Sequence, residues 1–275
     1  MISRGFGSFP GNRKTPTYFE LRECSMKTVI IGKGKVGEAT AASLCCEVQF
    51  HDPFKDVVVS DFSEFDFAIV CVDTLRTGPM DHRSVIDVLT MLQDVSYEGI
   101  VLIRSTVNPE FVRELLYGFK LRTIMFPEFM RQTDDLKMDD PWIVVLGGEY
   151  FDLAKAQKFL IEAKYCEDAS KYLFTSRMEA AIIKLCQNAG LATKVIFFNM
   201  VYELCQKYGG DYANVRLGVG ADERVGFQYS VVPSPDDGKL GFKGHCLPKD
   251  VNSLSKIDDY GFFQMLLDIN TKLGR

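Results

Sequence analysis

Met26-Lys-Thr-Val-Ile-Ile-Gly32-Lys-Gly34-Lys-Val36-Gly37-Glu-Ala-Thr-Ala-Ala-Ser-Leu44 reads as a β-branched strand, a glycine turn and a helix in direct succession. In such a turn Gly32 permits the tight bend, Gly34 lets the backbone approach a pyrophosphate, and Gly37 lets helix and strand pack closely. The N–H groups that a helix start leaves without intrahelical partners then face the anion. A glycine turn alone is weak evidence, because an empty strand-to-helix turn has the same pattern. The next strand, Glu47-Val-Gln-Phe-His51, strengthens it by ending at Asp52, 20 residues after Gly32. A carboxylate there accepts the ribose hydroxyls of an adenosine and repels a 2′-phosphate, which favours NAD over NADP. His51 reads as a strand-end surface residue.

Phe67-Ala-Ile-Val-Cys-Val72 and Ile100-Val-Leu-Ile103 are short apolar runs with a helical stretch, Ser84 to Leu92, between them. Alternating strand and helix predicts a doubly wound, Rossmann-type parallel sheet. Loops beyond the strands' carboxyl ends line the ligand crevice of such a sheet. That makes Thr74, Ser105 and Thr106 candidate cofactor residues beside Gly32, Gly34, Val36, Gly37 and Asp52, with helix capping as the alternative for Thr74 and Ser105.

The chain has 275 residues, 47% hydrophobic and 25% charged, with a net charge of −5. These values suit a globular protein of about two domains. The acidic balance argues against nucleic acid as a partner, since a phosphate-backbone binder carries a basic footprint. No run of about 18 apolar residues appears, so no membrane span is expected. Residues 1–25 lack the apolar core of a secretory signal and read as a disordered extension. Eight cysteines without metal-ligand spacing fit reduced thiols and a cytoplasmic location.

Arg177 to Lys207 contains no proline and a single glycine, and stops at Gly209-Gly210. The pattern predicts one helix over about 177–208, which puts Lys184 and Asn188 one turn apart on one face. The domains expected are a Rossmann domain at 26–170 and a mainly helical domain at 171–275. Near the end stands Gly241-Phe242-Lys243-Gly244-His-Cys246-Leu-Pro248-Lys249-Asp250, a cysteine held between glycine and proline with a lysine and an aspartate close behind.

This loop resembles the active-site loop of the UDP-glucose/GDP-mannose dehydrogenase family, GxGGxCxPKD. The resemblance extends, in family order, to Ser105-Thr106-Val107, Pro127-Glu128-Phe129-Met-Arg131, Lys184-x3-Asn188, Ala192-Thr-Lys-Val-Ile-Phe-Phe-Asn199 and Asp222-x-Arg224-Val-Gly226. It implies a two-step, four-electron oxidation of a nucleotide-sugar primary alcohol to the carboxylate with two NAD. Cys246 would be the nucleophile that carries a thiohemiacetal and then a thioester, chemistry for which a thiolate is both a strong nucleophile and a good leaving group. Lys184 and Asn188 match the pair that stabilises oxyanion charge. Thr106 and Asp250 match the residues that hold the water, and Glu128 the acid/base carboxylate. Phe129, Arg131, Arg224, Gly241, Phe242 and Gly244 match substrate contacts. Bland readings stand beside these: Cys246 as a small buried hydrophobe, Lys184 snorkelling from a buried helix, Glu128 as a surface acid, and Asp250 as N-cap of a helix that Val251 begins.

There are departures. Lys243 replaces the second glycine of the loop, where its ammonium is either solvated or within reach of a diphosphate. Gln132, Met200 and Ala181 stand where the family has acids. The family continues into a third α/β domain that grips the nucleotide. The expectation is therefore a dehydrogenase of reduced size, a homodimer through the long helix, with a separate subunit as one possible source of the third domain. The competing readings are a dehydrogenase of a smaller alcohol without a nucleotide, and a non-catalytic relic that binds NAD or a partner.

Overall fold

The computed structural model describes residues 24–74, 80–129 and 141–274. Its first half alternates strand and helix as expected. The elements are β1 (Cys24–Ile31), α1 (Lys35–Ala42), β2 (Cys46–His51), β3 (Phe67–Val70), α2 (Arg83–Asp94), β4 (Ile100–Ile103), α3 (Pro109–Gly118), β5 (Arg122–Met125), β6 (Val144–Gly147), α4 (Tyr150–Glu162) and β7 (Tyr172–Thr175). The seven strands form one sheet in the order β2-β1-β3-β4-β5-β6-β7. The first five are parallel; β6 meets β5 antiparallel, and β7 runs parallel to β6. The chain leaves β1 to one side for β2 and returns to the other for β3. The crevice of such a sheet opens where the order reverses, outside the carboxyl end of β1.

β3, β4 and β6 are buried along their whole length, as strands covered on both faces must be. Alternate residues feed two cores: Val29, Ile31, Val101 and Ile103 pack toward α2 and α3, while Ile30, Leu102 and Ile124 pack toward Phe159 and Leu160 of α4. Two boundaries differ from the sequence reading. β1 takes in Cys24 and Ser25, with Cys24 paired to Cys46, so these two residues assigned to the extension belong to the sheet; residues 1–23 lie outside the described residues. The sheet also runs past residue 170 to Thr175, because β7 completes the edge against β6.

The second half is helical: α5 (Arg177–Tyr208), α6 (Tyr212–Gly220), α7 (Cys246–Ser255) and α8 (Phe262–Lys272). α5 has 32 residues, about 48 Å at 1.5 Å per residue. It opens with a capping box between Ser176 and Glu179 and stops at Gly209, whose φ of 71° is the left-handed conformation that glycine adopts without strain. Ala180 and Ala181 pack on the sheet, whereas Leu185, Ala189, Ala192 and Ile196 form a third core with Val251, Leu254 and Leu266. α5 thus joins the two halves rigidly. It is long and apolar enough to cross a membrane, yet it buries Lys184, Asn188 and Asn199 against the rest of the protein. Met80 packs into the third core with α5, α7 and α8.

Candidate active site

The glycine turn divides its work as the sequence suggests. Gly32 has φ +100°, and a Cβ there would lie 2.6 Å from the Cys71 carbonyl oxygen; a Cβ on Gly37 would lie 2.1 Å from the Gly32 oxygen. Both glycines are required by the fold itself. Gly34 differs, since a Cβ there meets nothing within 4 Å. It is the N-cap of α1, extended and without any side-chain cap, so the first N–H groups of α1 open into free space. That is a cradle of the right chemistry for a pyrophosphate.

Asp52 stands beside the turn. Its Oδ2 accepts from the Lys33 backbone N–H at 2.9 Å and its Oδ1 from that of Phe54 at 3.2 Å. The carboxylate therefore braces the turn while remaining half-exposed. His51, read as a surface residue, is buried instead: its Nδ1 accepts from the Val59 N–H at 3.1 Å, its ring meets Phe62 edge-on, and burial holds its pKa down. Thr74 is buried, and its carbonyl accepts from Asp81. The Ser105 hydroxyl donates to the Val72 carbonyl at 2.7 Å, tying the β3 and β4 loops together. It does not cap α3, because Asn108 does that by accepting from Phe111 N–H at 2.8 Å.

Register carries the next residues toward the second half. Ile103 pairs with Met125, so Arg104-Ser105-Thr106 run beside Phe126-Pro127-Glu128 as the two strands end. α5 then presents Phe129 with Lys184 over its ring, Nζ 5.2 Å from the centroid. Lys184 is 5% exposed and Asn188 6%. Asn188 Nδ2 donates to Asp250 Oδ2 at 2.6 Å, and Lys249 Nζ reaches Asp250 Oδ1 at 2.7 Å, all three side chains being buried. Asp250 is not an N-cap. α7 begins four residues earlier at Cys246, and Asp250 lies inside it with no exposed surface.

Cys246 is thus the first residue of α7, exposed at its surface while backed by buried charge. Desolvation pushes its thiol up; the Lys184 ammonium pulls it back, the Asp250 and Glu128 carboxylates push it further, and Lys249 opposes them. Four charged groups from three separated stretches of sequence therefore act on one sulfur. The loop that delivers it is pinned by two asparagines: Asn199 Oδ1 accepts from Gly241 N–H at 2.9 Å, and Asn270 Oδ1 accepts from Phe242 N–H at 2.8 Å. Gly241 and Gly244 take φ values of 77° and 88°, which a side chain would strain. The Phe242 side chain is buried in the third core and anchors the loop.

Other residues of the sequence reading lie apart from this cluster within the chain. Arg224, its side chain 89% exposed, is engaged bidentately by Asp222 two residues back. Lys243, its side chain 38% exposed, pairs with Asp236 at 3.3 Å and Asp237 at 3.1 Å in its own loop. Arg131 and Gln132 lie outside the described residues.

The structure also adds residues that sequence reasoning missed. Arg104 is fully buried, stacks on Phe126 at 4.3 Å and donates to the Tyr165 hydroxyl at 3.0 Å. Burial opposes its charge, but Tyr165 and Glu128 hold it above the ordinary guanidinium value. His82 stacks on Phe111, and its pKa falls to about 4 through burial and the charge of Lys249. A cavity of about 560 Å³ lies against Lys184 and Asn188, lined also by Phe129, Trp142, Gln228 and Tyr229.

Comparison with known proteins gives likenesses in sequence and in fold. Residues 178–271 match the family model described as UDP-glucose/GDP-mannose dehydrogenase family, central domain. UDP-glucose 6-dehydrogenase of Rickettsia prowazekii is 27% identical over 215 residues, covering 74% of this chain and 48% of the relative. The chain spans about half the length of the curated relatives it matches. Among solved structures, a UDP-glucose dehydrogenase from Pyrobaculum islandicum superposes with a TM-score of 0.70 at 21% identity, over 97% of this chain and 70% of the other. A 3-hydroxyisobutyrate dehydrogenase from Mycobacterium tuberculosis has the same fold, with a TM-score of 0.68 at 19% identity over 90% of this chain and 93% of the other. The chain is thus similar to the UDP-glucose/GDP-mannose dehydrogenase family, the match to that family's central domain lying at residues 178–271.

Proposed function

We propose that this protein is an NAD-dependent oxidoreductase that converts the primary alcohol of a nucleotide sugar to the carboxylate through covalent intermediates on Cys246. The observation that carries the reading is the convergence of Lys184, Asn188, Glu128 and Asp250 on Cys246 at the start of α7. A core cysteine has no use for three charged neighbours and a buried amide. NAD fits the open space over Gly34, the uncapped N-terminus of α1 and the carboxylate of Asp52. When bound it accepts a hydride at each of the two oxidations.

The chain's own residues do the rest. Glu128 takes the proton from the substrate hydroxyl in the first oxidation. The Cys246 thiolate adds to the aldehyde carbon, and the charge that builds on oxygen meets the Lys184 ammonium and the Asn188 amide. Both are held on a rigid helix, so they need no reorganisation as charge develops. Asn188 keeps its orientation by donating to Asp250. After the second oxidation a water attacks the thioester, positioned by Thr106 and by Asp250, and the thiolate leaves as the carboxylate forms. The thiol must ionise before it adds to the aldehyde, and the charges of Lys184 and Lys249 help it do so.

The helical half also supports self-association. Phe197, Leu204 and Tyr208 of α5 and Leu217 of α6 are exposed, and a second copy of α5 would cover such a face.

A panel of UDP- and GDP-sugars, assayed for NADH with NAD and with NADP, tests the proposal. Two NADH per sugar, with carboxylate product and no turnover in Cys246→Ala, is the expected result. One NADH per substrate, unaffected by Cys246→Ala, would replace the covalent mechanism with simple hydride transfer. No NADH from any nucleotide sugar would reject the substrate class.

A further inference from the structure

The cavity beside Lys184 has a wall that the proposed mechanism does not use. Trp142 stands on it 53% exposed, two residues before β6, with its ring 6.1 Å from that of Phe129 and tilted 51° to it. Leaving so large an apolar surface in water forfeits the favourable burial that a tryptophan normally contributes. Its neighbours on the cavity are Tyr229 and the amides of Gln187 and Gln228, and among the described lining residues Lys184 is the one carrying charge.

We infer that Trp142 is the aromatic platform on which the sugar ring of the substrate lies, with Gln187 and Gln228 reading its hydroxyls. The inference rests on the function proposed above. A pyranose has an apolar C–H face and a rim of hydroxyls that both donate and accept. An aromatic plane flanked by neutral amides complements both, as ligand cavities do with apolar walls and a few placed polar groups. A phosphate would instead call for several cations. A nucleobase could stack equally well, but the cavity directly adjoins Lys184 and Asn188, and the ring that carries the reacting carbon must be the one beside them. Trp142 therefore sets sugar specificity.

Trp142 is also the chain's single tryptophan, so its fluorescence reports on this wall alone. The test titrates the full chain, without NAD so that no turnover occurs, with UDP-glucose and separately with UDP, following emission and, in parallel, heat of binding. UDP-glucose should quench or shift the emission and UDP should not. Trp142→Ala should raise the Kd for the sugar nucleotide about tenfold, with Trp142→Phe recovering most of it. Because the side chain is half in water, neither change should lower the melting temperature by more than a degree or two. Calorimetric binding of UDP-glucose with unchanged emission, an equal response to UDP, or an unaltered Kd in Trp142→Ala would each overturn the inference while leaving the proposed reaction intact. Absence of any calorimetric binding would reject both.

Discussion

Replacing Asp250 by alanine removes the acceptor that two buried groups share. The Lys249 ammonium, 2.7 Å from Oδ1, would be left charged in a site where its residue is 9% exposed, and the Asn188 amide would lose a 2.6 Å bond. Removing one partner of a buried ion pair costs about 3–5 kcal/mol, most of it the penalty of the charge that stays. The orphaned amide adds a loss of the same kind, on the order of 1–3 kcal/mol, though groups in one network do not add simply. A net loss of about 4 kcal/mol lowers the melting temperature of a chain this size by on the order of 10 °C. Calorimetry or thermal circular dichroism on the unliganded protein measures it without reference to turnover. The second half of a mutant cycle isolates the cause. Lys249→Met in the Asp250→Ala background removes the stranded charge and should restore about half of the loss or more, whereas Lys249→Met alone should destabilise by leaving a buried carboxylate. If Asp250→Ala costs less than about 1 kcal/mol, or if Lys249→Met fails to rescue it, the pair is solvated in reality and the argument for a rigid Asn188 falls with it.

Turnover should rise with pH through the alkaline range, because burial holds the Cys246 thiol above its ordinary value and the thiolate is the reactive form; Lys184→Met should push that limb higher still, and a flat pH–rate profile would show that thiol ionisation does not limit the rate. Asp52→Ala should weaken NAD and narrow its advantage over NADP, as measured by calorimetric titration, and equal binding of both by the unaltered protein would contradict the role of Asp52. Gly37→Ala should unfold or severely destabilise the first half, since its Cβ would lie 2.1 Å from a backbone oxygen, while Gly34→Ala should leave the melting temperature nearly unchanged and weaken NAD; the contrast is read from melts and titrations together. His82 is held neutral down to about pH 4 in the folded chain, so the unfolded state binds the extra proton as pH falls through about 6.5. Stability should therefore decline between pH 6.5 and 4, and His82→Gln should flatten that part of the curve in urea titrations.

The sheet was legible because its signals are local. The β-branched run of β1, the turn glycines and the glycine stop after α5 each act within a few residues, and the chain forms them where the pattern places them. The boundary at Asp250 was misplaced for a comparable reason. Pro248 suits the first turn of a helix as well as the loop before one, and the sequence does not show that α7 starts at Cys246 and carries Asp250 into its buried face. His51 was misplaced because burial depends on the segment around Val59 and Phe62 folding back over the strand end.

What the sequence hides is which polar groups meet. Lys184, Asn188 and Asp250 were each visible as chemistry-bearing residues, but the bond from Asn188 to Asp250 joins positions 62 apart. Arg104 and Tyr165, 61 apart, meet in the same way. Asn199 and Asn270 carried a usable signal, since each is an amide on an otherwise apolar helix face, and a buried amide must find a partner. Their partner is the backbone at Gly241 and Phe242, the part of the chain that no helix or strand ladder satisfies. The loop that delivers Cys246 is therefore held by side chains of α5 and α8 as well as by its own Phe242. Substituting Asn199 or Asn270 with leucine, which keeps the bulk and removes the acceptor, would free that loop without touching any residue near the sulfur. In the proposed reaction the long helix would therefore do more than join the two halves: it would supply Lys184 and Asn188 to the reacting atoms, while its Asn199 holds the loop that leads to Cys246.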